Sequence, residues 1–378
     1  MPDCKICSLS GAHPGVKLDE DQICNLCKLE VADELLHNVS YASRVYEEFT
    51  NSPPNPHGPY DCLLMFSGGK DSTYLLDKFV NEYKKRVLSY TFEVPFESDH
   101  AAANVRLVQS KIRATFVIDR DDDNIRRVVR SAFNRPAPDK PGKYLDEKIP
   151  CISCRTFFVI RAILHPYIHQ IPYIIFGADP QQIMTIQPGV RETVKWFYRS
   201  FGPELTGDVF GGELEELLFD DEERLPKIVF PFVAMRGEYD PDKMIDALKA
   251  RGLYHSSPLE THCRLFPLLN YYSLRHWNCM FYKLNASSYL RAVSKNKDSA
   301  RTTYSLKFPR AADLVAIEER LKTTLFAIAA GEGDPVQQEE ALVDLFRELE
   351  VGDDAARVAA RGCLEMRDVA AEMGIELH

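Results

Sequence analysis

Five short apolar runs punctuate the middle of the chain, at Cys62–Phe66, Val87–Val94, Ala114–Ile118, Tyr173–Phe176 and Ile228–Phe232. They are close to continuously apolar, as strands covered on both faces are. Between them lie segments with helical periodicity, Ser72–Tyr83, Ala101–Ile112 and Arg155–His165. This alternation predicts an α/β fold built on a doubly wound parallel sheet. Upstream, a helix is expected over Val31–Phe49. It is followed by a stretch of prolines and glycine, Asn51–Pro59, that excludes helix and strand alike. Downstream of about Lys283 the strands stop, and Ala311–Ala330 and Val336–Leu349 read as amphipathic helices. Four regions result: residues 1–30, the helix and linker 31–59, the α/β domain 60–282 and a helical region 283–378, which suits a cap or a homodimer contact.

Composition narrows the class. With 378 residues and 45% hydrophobic side chains, the chain exceeds what one core usually serves. Acidic residues outnumber basic ones 56 to 46, so the net charge of −10 repels a polyanion and makes tRNA the less favoured partner. The first residues lack the basic and apolar regions of an export signal, and no apolar run is expected to span a membrane. The cytoplasm is the expected compartment, with no membrane partner. Six of the ten cysteines fall in three Cys-x-x-Cys pairs, which in that compartment indicates metal or redox chemistry.

Directly after the first strand stands Ser67-Gly68-Gly69-Lys70-Asp71-Ser72, and a helix begins at once. Two glycines let the backbone curl so that successive N–H groups face an anion, and the helix start adds partial positive charge. Lys70 is placed to neutralise phosphate, and Ser72 to donate a hydroxyl. The hexapeptide differs from the longer Gly-x-x-x-x-Gly-Lys-Ser/Thr loop. It resembles the PP-loop of the ATP pyrophosphatase superfamily, whose members release pyrophosphate and adenylate a substrate. That resemblance implies that Ser67, Gly68, Gly69, Lys70, Asp71 and Ser72 contact ATP or its Mg2+. It makes Asp179, in Gly177-Ala178-Asp179, a further contact to magnesium or substrate, with a helix cap as the alternative. Glu93 and Asn104 are weaker candidates for the nucleoside, with a solvated strand end and a helix-start residue as the alternatives.

The first two cysteine pairs, Cys4/Cys7 and Cys24/Cys27, carry the ligand set of a tetrahedral Zn2+ site, a structural zinc ribbon without an open position. The third, Cys151 and Cys154, opens a helix, where thiolates are stabilised. By itself it reads equally as a redox pair or half a metal site. Cys263 follows Pro231, Glu238, the helix Pro241–Arg251, Gly252-Leu253 and Pro258. This order resembles the tRNA two-thiouridine synthetases, in which a Cys-x-x-Cys and one later cysteine hold a 4Fe-4S cluster with one iron lacking a protein ligand. The resemblance covers roughly Cys4–Arg264 and places Cys151, Cys154 and Cys263 as cluster ligands and, with Lys70 and Asp71, in the catalytic set. It implies an ATP-dependent sulfurtransferase: a carbonyl oxygen is adenylated, pyrophosphate leaves, and sulfur from sulfide or a cysteine-derived donor replaces AMP.

Two departures bear on the substrate. The tRNA enzymes commonly carry Gly-His-Asn-x-Asp-Asp where this chain has Gly177-Ala178-Asp179-Pro180, and Val190–Leu225 reads as an insertion. With the acidic balance, they favour a small carbonyl compound such as a nucleobase over tRNA. Within the insertion, Arg191, Lys195 and Arg199 share a face that suits a substrate anion or simply solvent. An N-acetyl sugar amidotransferase is the nearest alternative, because such enzymes resemble this chain in pairing four N-terminal cysteines with a PP-loop and use ammonia. A non-enzymatic ATP-sensing module is the other.

Overall fold

The computed structural model describes residues 2–7, 9–11, 13, 15–28, 32–134, 150–178, 189–221, 224–235, 239–255, 263–281, 283, 311–349 and 353–377. By its contacts the chain divides into two compact units. One comprises Met1–Ala32, Val129–Ile152 and Ser257–His378; the other comprises Asp33–Val128 and Ser153–Ser256.

The second unit holds the sheet. Its strands are β1 (Cys62–Met65), β2 (Val87–Glu93), β3 (Thr115–Arg120), β4 (Tyr173–Ile175) and β5 (Lys227–Val229), all parallel, in the order β3-β2-β1-β4-β5. Cys62, Leu63 and Leu64 of β1 are fully buried, as a central strand covered on both faces requires. Helix α1 (Ala32–Asn51) precedes the sheet. Helices α2 (Lys70–Asp77) and α3 (Asp99–Gln109) then connect β1 to β2 to β3. A π-helical turn, Lys78–Glu82, prolongs α2. After α4 (Asp122–Phe133), helix α5 (Pro150–His169) leads the chain back across to β4 on the other side of β1. Right-handed crossovers in opposite directions put helices on both faces, so the doubly wound arrangement expected from the sequence is present.

Helix α5 runs from Pro150 to His169, beyond both ends of the expected Arg155–His165. At that length, with a mean hydropathy of 1.2, it is apolar enough to cross a membrane, which the sequence reading had excluded. Its packing is that of a core helix. Phe157 and Phe158 meet Phe92 of β2 with ring centroids at 5.5 and 6.5 Å, and Arg161 pairs with Asp119 of β3. The stretch read as an insertion forms α6 (Val190–Phe210), kinked at Gly202-Pro203, and α7 (Glu213–Phe219). Helices α8 (Pro231–Ala234) and α9 (Pro241–Ala250) follow β5.

The first unit contains the N-terminal cysteine segment, α10 (Phe266–Trp277), α11 (Ala311–Ala330), α12 (Pro335–Glu348), α13 (Asp353–Leu364) and α14 (Met366–Met373). The helical C-terminal region is therefore as expected. Leu321, Leu325, Leu342, Leu345, Ala356, Ala360 and Met366 form its apolar interior. Ring contacts join α10 to its neighbours, Tyr271 to Phe326 at 5.1 Å and Tyr272 to Phe133 at 5.7 Å.

Candidate functional site

Strand β1 ends at the point where the strand order reverses, with β2 on one side and β4 on the other, and the loop that follows it sits at the carboxyl edge of the sheet. In open α/β sheets this switch point is where ligands bind. The loop geometry is dictated by glycine. Gly68 has φ +71°, and a Cβ there would lie 2.7 Å from the Ala101 carbonyl oxygen and 3.0 Å from the Val105 nitrogen, both in α3. No L residue fits without moving that helix. Gly69 is the N-cap of α2 and offers no side chain to cap its first turn, so that turn is left open to an external anion. Gly177, just past β4, lies against the same turn: a Cβ there would be 3.4 Å from the Ser72 nitrogen.

The hydroxyls brace the loop from within. Ser72 Oγ accepts from the Ser67 backbone N–H at 3.2 Å and donates to the Gly69 carbonyl at 3.2 Å, and the Ser67 and Ser72 hydroxyls are 3.3 Å apart. Lys70 Nζ lies 3.1 Å from Asp71 Oδ2. The other carboxylate oxygen, Asp71 Oδ1, is buried without a hydrogen-bond partner among the described residues. An orphaned carboxylate oxygen beside an open helix start is chemically suited to a hydrated cation accompanying a phosphate. The structure thus brings Ser67, Gly68, Gly69, Lys70, Asp71 and Ser72 into one turn, while Asp179 falls outside the described residues.

Of the two weaker candidates, Asn104 serves the scaffold. It is fully buried in α3 and gives both ends of its amide to one residue: Nδ2 donates to the His255 carbonyl at 3.2 Å, and Oδ1 accepts from the His255 N–H at 2.9 Å. Glu93 ends β2. Four residues on, Glu97 precedes α3, and burial together with the Glu93 carboxylate pushes it up to about 7. Sequence reasoning missed Glu97 because its desolvation comes from the turn it occupies, which no local pattern announces. In the insertion, an Arg191 guanidinium N–H donates to the Asp220 carbonyl at 2.6 Å, and Arg199 donates to the Lys195 carbonyl at 3.3 Å, which places these two side chains on protein backbone.

The N-terminal thiols form a second constellation. Cys4 and Cys27 are 3.7 Å apart, Cys7 and Cys24 3.6 Å, and Cys24 and Cys27 3.5 Å; all four sulfurs lie within 4.8 Å of one another and are buried. Tetrahedral ligation at about 2.3 Å sets neighbouring sulfurs about 3.8 Å apart, so this set fits one ion. Two short turns present the thiols, closed by the bridges Asp3 to Ser10 and Leu18 to Cys24. Backbone N–H groups of Cys24 and Cys27 donate to Cys4 Sγ and Cys24 Sγ at 3.3 and 3.4 Å, bonds that favour thiolate. The hydrogen bonds shared with Cys27 and Cys7 hold the Cys24 thiol below its ordinary range, while those shared with Cys24 push Cys7 and Cys27 up.

Cys151 and Cys154 occupy the first turns of α5, part-exposed. Of these two residues, Cys154 belongs to the unit that holds the sheet and Cys151 to the other unit. Cys263, also part-exposed, precedes α10 and accepts the Phe266 N–H at its carbonyl, 3.1 Å.

No protein-family model matches the chain, and no curated protein sequence matches it. Solved structures with some likeness include the U34-tRNA thiolase NcsA from Methanococcus maripaludis with its 4Fe-4S cluster, at 15% identity, TM-score 0.33, covering 85% of this chain and 89% of that one. NMN synthetase from Francisella tularensis is 10% identical with TM-score 0.29, over 67% and 94% of the two chains. Glutamine-dependent NAD+ synthetase from Acinetobacter baumannii in complex with ADP is 14% identical with TM-score 0.27, over 66% and 51%. Likenesses this distant carry no argument about chemistry, and the case for a nucleotide site rests on the loop itself.

Proposed function

We propose that the chain is an ATP-dependent sulfurtransferase that adenylates a carbonyl oxygen of a small molecule of the nucleobase kind, releases pyrophosphate and exchanges that oxygen for sulfur. The observation that carries the ATP half is the Ser67–Ser72 turn, with left-handed Gly68 against α3 and the start of α2 open at the switch point of a parallel sheet.

ATP bound there lays its phosphates against the amides of the turn and the positive end of α2. The acceptor oxygen bonds to the α phosphorus as the bond to pyrophosphate breaks. Lys70 stabilises the charge growing on the departing pyrophosphate, where a fixed cation in a water-poor site contributes most. Asp71 Oδ1, without a hydrogen-bond partner among the described residues, would help hold a Mg2+ accompanying the phosphates.

For the second half the chain offers Cys151 and Cys154 in the first turns of α5 and Cys263 ahead of α10. Their thiolates would hold a 4Fe-4S cluster, which when bound would supply an iron open to sulfide. The part exposure of all three leaves access for a sulfur donor. The N-terminal four-thiol set takes Zn2+ as a closed structural site.

Anaerobic purification with iron, sulfide and absorption analysis, run beside Cys263→Ala, tests the sulfur half. A brown wild type with about four irons that bleaches in the variant is expected. A colourless wild type that instead makes an amide from ammonia moves the reaction to the amidotransferase class. ATP labelled at the α phosphate tests the first half: AMP is expected, and ADP with orthophosphate refutes it. Nucleobases and unmodified tRNA supplied in parallel as acceptors identify the substrate class, with the small molecule expected to react.

A further inference from the structure

The four-thiol segment is not a free-standing module. It shares a compact unit with Val129–Ile152 and Ser257–His378, and its contacts there are specific. The His13 ring stacks on Trp277, the last residue of α10, with centroids 5.5 Å apart and planes within 20°. Both rings are almost wholly buried. A second tie is ionic. Lys283, 3% exposed, places Nζ 2.9 Å from Glu318 Oε2 in α11 and 3.4 Å from Asp3 Oδ2, the residue before Cys4. Glu318 Oε1 accepts the Met280 N–H at 2.9 Å, so the same carboxylate also holds the chain just past α10.

A ring stack and a buried ion group therefore join the cysteine segment to the carboxyl end of α10. Its other end is fixed to Cys263 through the Phe266 N–H. Within one helix, a shift at Trp277 is carried to Phe266, because the intervening hydrogen bonds make α10 move as a rod. Held by four thiolates to one ion, the segment is stiff; without the ion its two short turns rest on the bridges Asp3 to Ser10 and Leu18 to Cys24 and on single backbone hydrogen bonds such as Cys4 N–H to the Leu9 carbonyl and Lys5 N–H to the Gln22 carbonyl.

We propose that the metal bound by Cys4, Cys7, Cys24 and Cys27 acts at a distance, with His13 and Lys283 as positioning residues that transmit its stiffness through α10 to the Cys263 backbone. The inference deepens the sulfurtransferase reading, on which it rests for the use made of Cys263. It assigns the N-terminal centre a role in aiming a ligand thiol that lies in the other half of the sequence. His13 and Trp277 form no part of the nucleotide site, and the effect should spare β1 and α2.

The test strips the N-terminal metal from the full chain with a thiol-displacing mercurial and a chelator, then restores it with Zn2+. Hydrogen exchange of α10, Trp277 emission in a Trp196→Phe background and the alkylation rate of Cys263 in iron-free protein are followed. Metal loss is expected to raise exchange across α10 by at least about tenfold, shift Trp277 emission to the red and alter Cys263 reactivity, all reversed by Zn2+, with β1 and α2 unchanged. His13→Ala with metal bound should reproduce part of this, and His13→Phe, which keeps the stack, should restore it. Lys283→Met gives an independent second perturbation with the same expected pattern. An α10 indifferent to metal loss overturns the proposal, and so does equal loosening of both units. A wild type that never carries iron refutes the cluster instead and leaves these readouts intact.

Discussion

Replacing Gly68 by alanine isolates what the loop's shape contributes. The backbone there has φ +71°, which costs an L residue about 1–2 kcal/mol. The added Cβ meets the Ala101 carbonyl at 2.7 Å and the Val105 nitrogen at 3.0 Å, both backbone atoms of a packed helix, and forcing them apart costs about another 1–3 kcal/mol. A loss of about 3 kcal/mol lowers the melting temperature of a unit of this size by roughly 6–12 °C. The neighbouring Gly69 is the internal control. Its φ of −71° suits any residue, and a Cβ there touches only the Ser67 hydroxyl, at 3.3 Å. Gly69→Ala is therefore expected to change stability by less than about 1 kcal/mol. Thermal unfolding of both variants, with binding of a fluorescent ATP analogue, makes the comparison. Gly68→Ala should be destabilised and bind nucleotide at least about tenfold more weakly, the equivalent of about 1.4 kcal/mol. A Gly68→Ala protein as stable and as tight-binding as Gly69→Ala would show that the turn is not the cradle described here.

Other outcomes follow from single residues. Asp71→Asn keeps the fold but removes the anionic oxygen, so the tightening of ATP binding by Mg2+, measured by titration calorimetry, should fall about tenfold or more. Asn104→Ala strands the His255 N–H and carbonyl and should cost about 2–3 kcal/mol in denaturant unfolding, with faster hydrogen exchange at His255; an unchanged midpoint refutes the clamp. Glu97 has its carboxyl raised from 4.5 to about 7 by burial and by Glu93. Its contribution to stability is full below the unfolded value and is lost as pH rises through the folded one. Glu97→Gln should match wild type at pH 4 and exceed it at pH 8 by up to about 3 kcal/mol, read as a pH series of unfolding curves.

β1 and β2 were legible because their apolar runs are largely buried, and they match the expected spans to within a residue, whereas β3 was legible from a similar run although it is the more exposed strand, with Ile118 45% exposed. The tight Ser67–Ser72 turn was legible because two adjacent glycines stand between a strand and a helix. The start of α5 was not. The residues before Cys151 include prolines, glycine and lysines with no helical pattern, and Pro150 itself reads as a loop residue, although proline suits a helix start. Asn104 and Glu97 were opaque for another reason. What makes them notable is a tertiary neighbour, the His255 backbone in one case and a desolvating turn beside Glu93 in the other. The grouping of Met1–Ala32 with Val129–Ile152 and Ser257–His378 was equally hidden, since it depends on partners such as Lys283 and Asp3 that stand 280 positions apart.

That separation has a consequence for how the molecule is made. At about 5–20 residues per second, Lys283 leaves the ribosome roughly 14–56 s after Asp3. Through most of that interval a nascent chain carries four nucleophilic sulfurs before Trp277, Lys283 and Glu318, which tie their segment down, have been synthesised. Early capture of an ion would protect them, and scarcity of that ion during growth should appear first as chains whose sheet-bearing unit is sound but whose two extremities never meet.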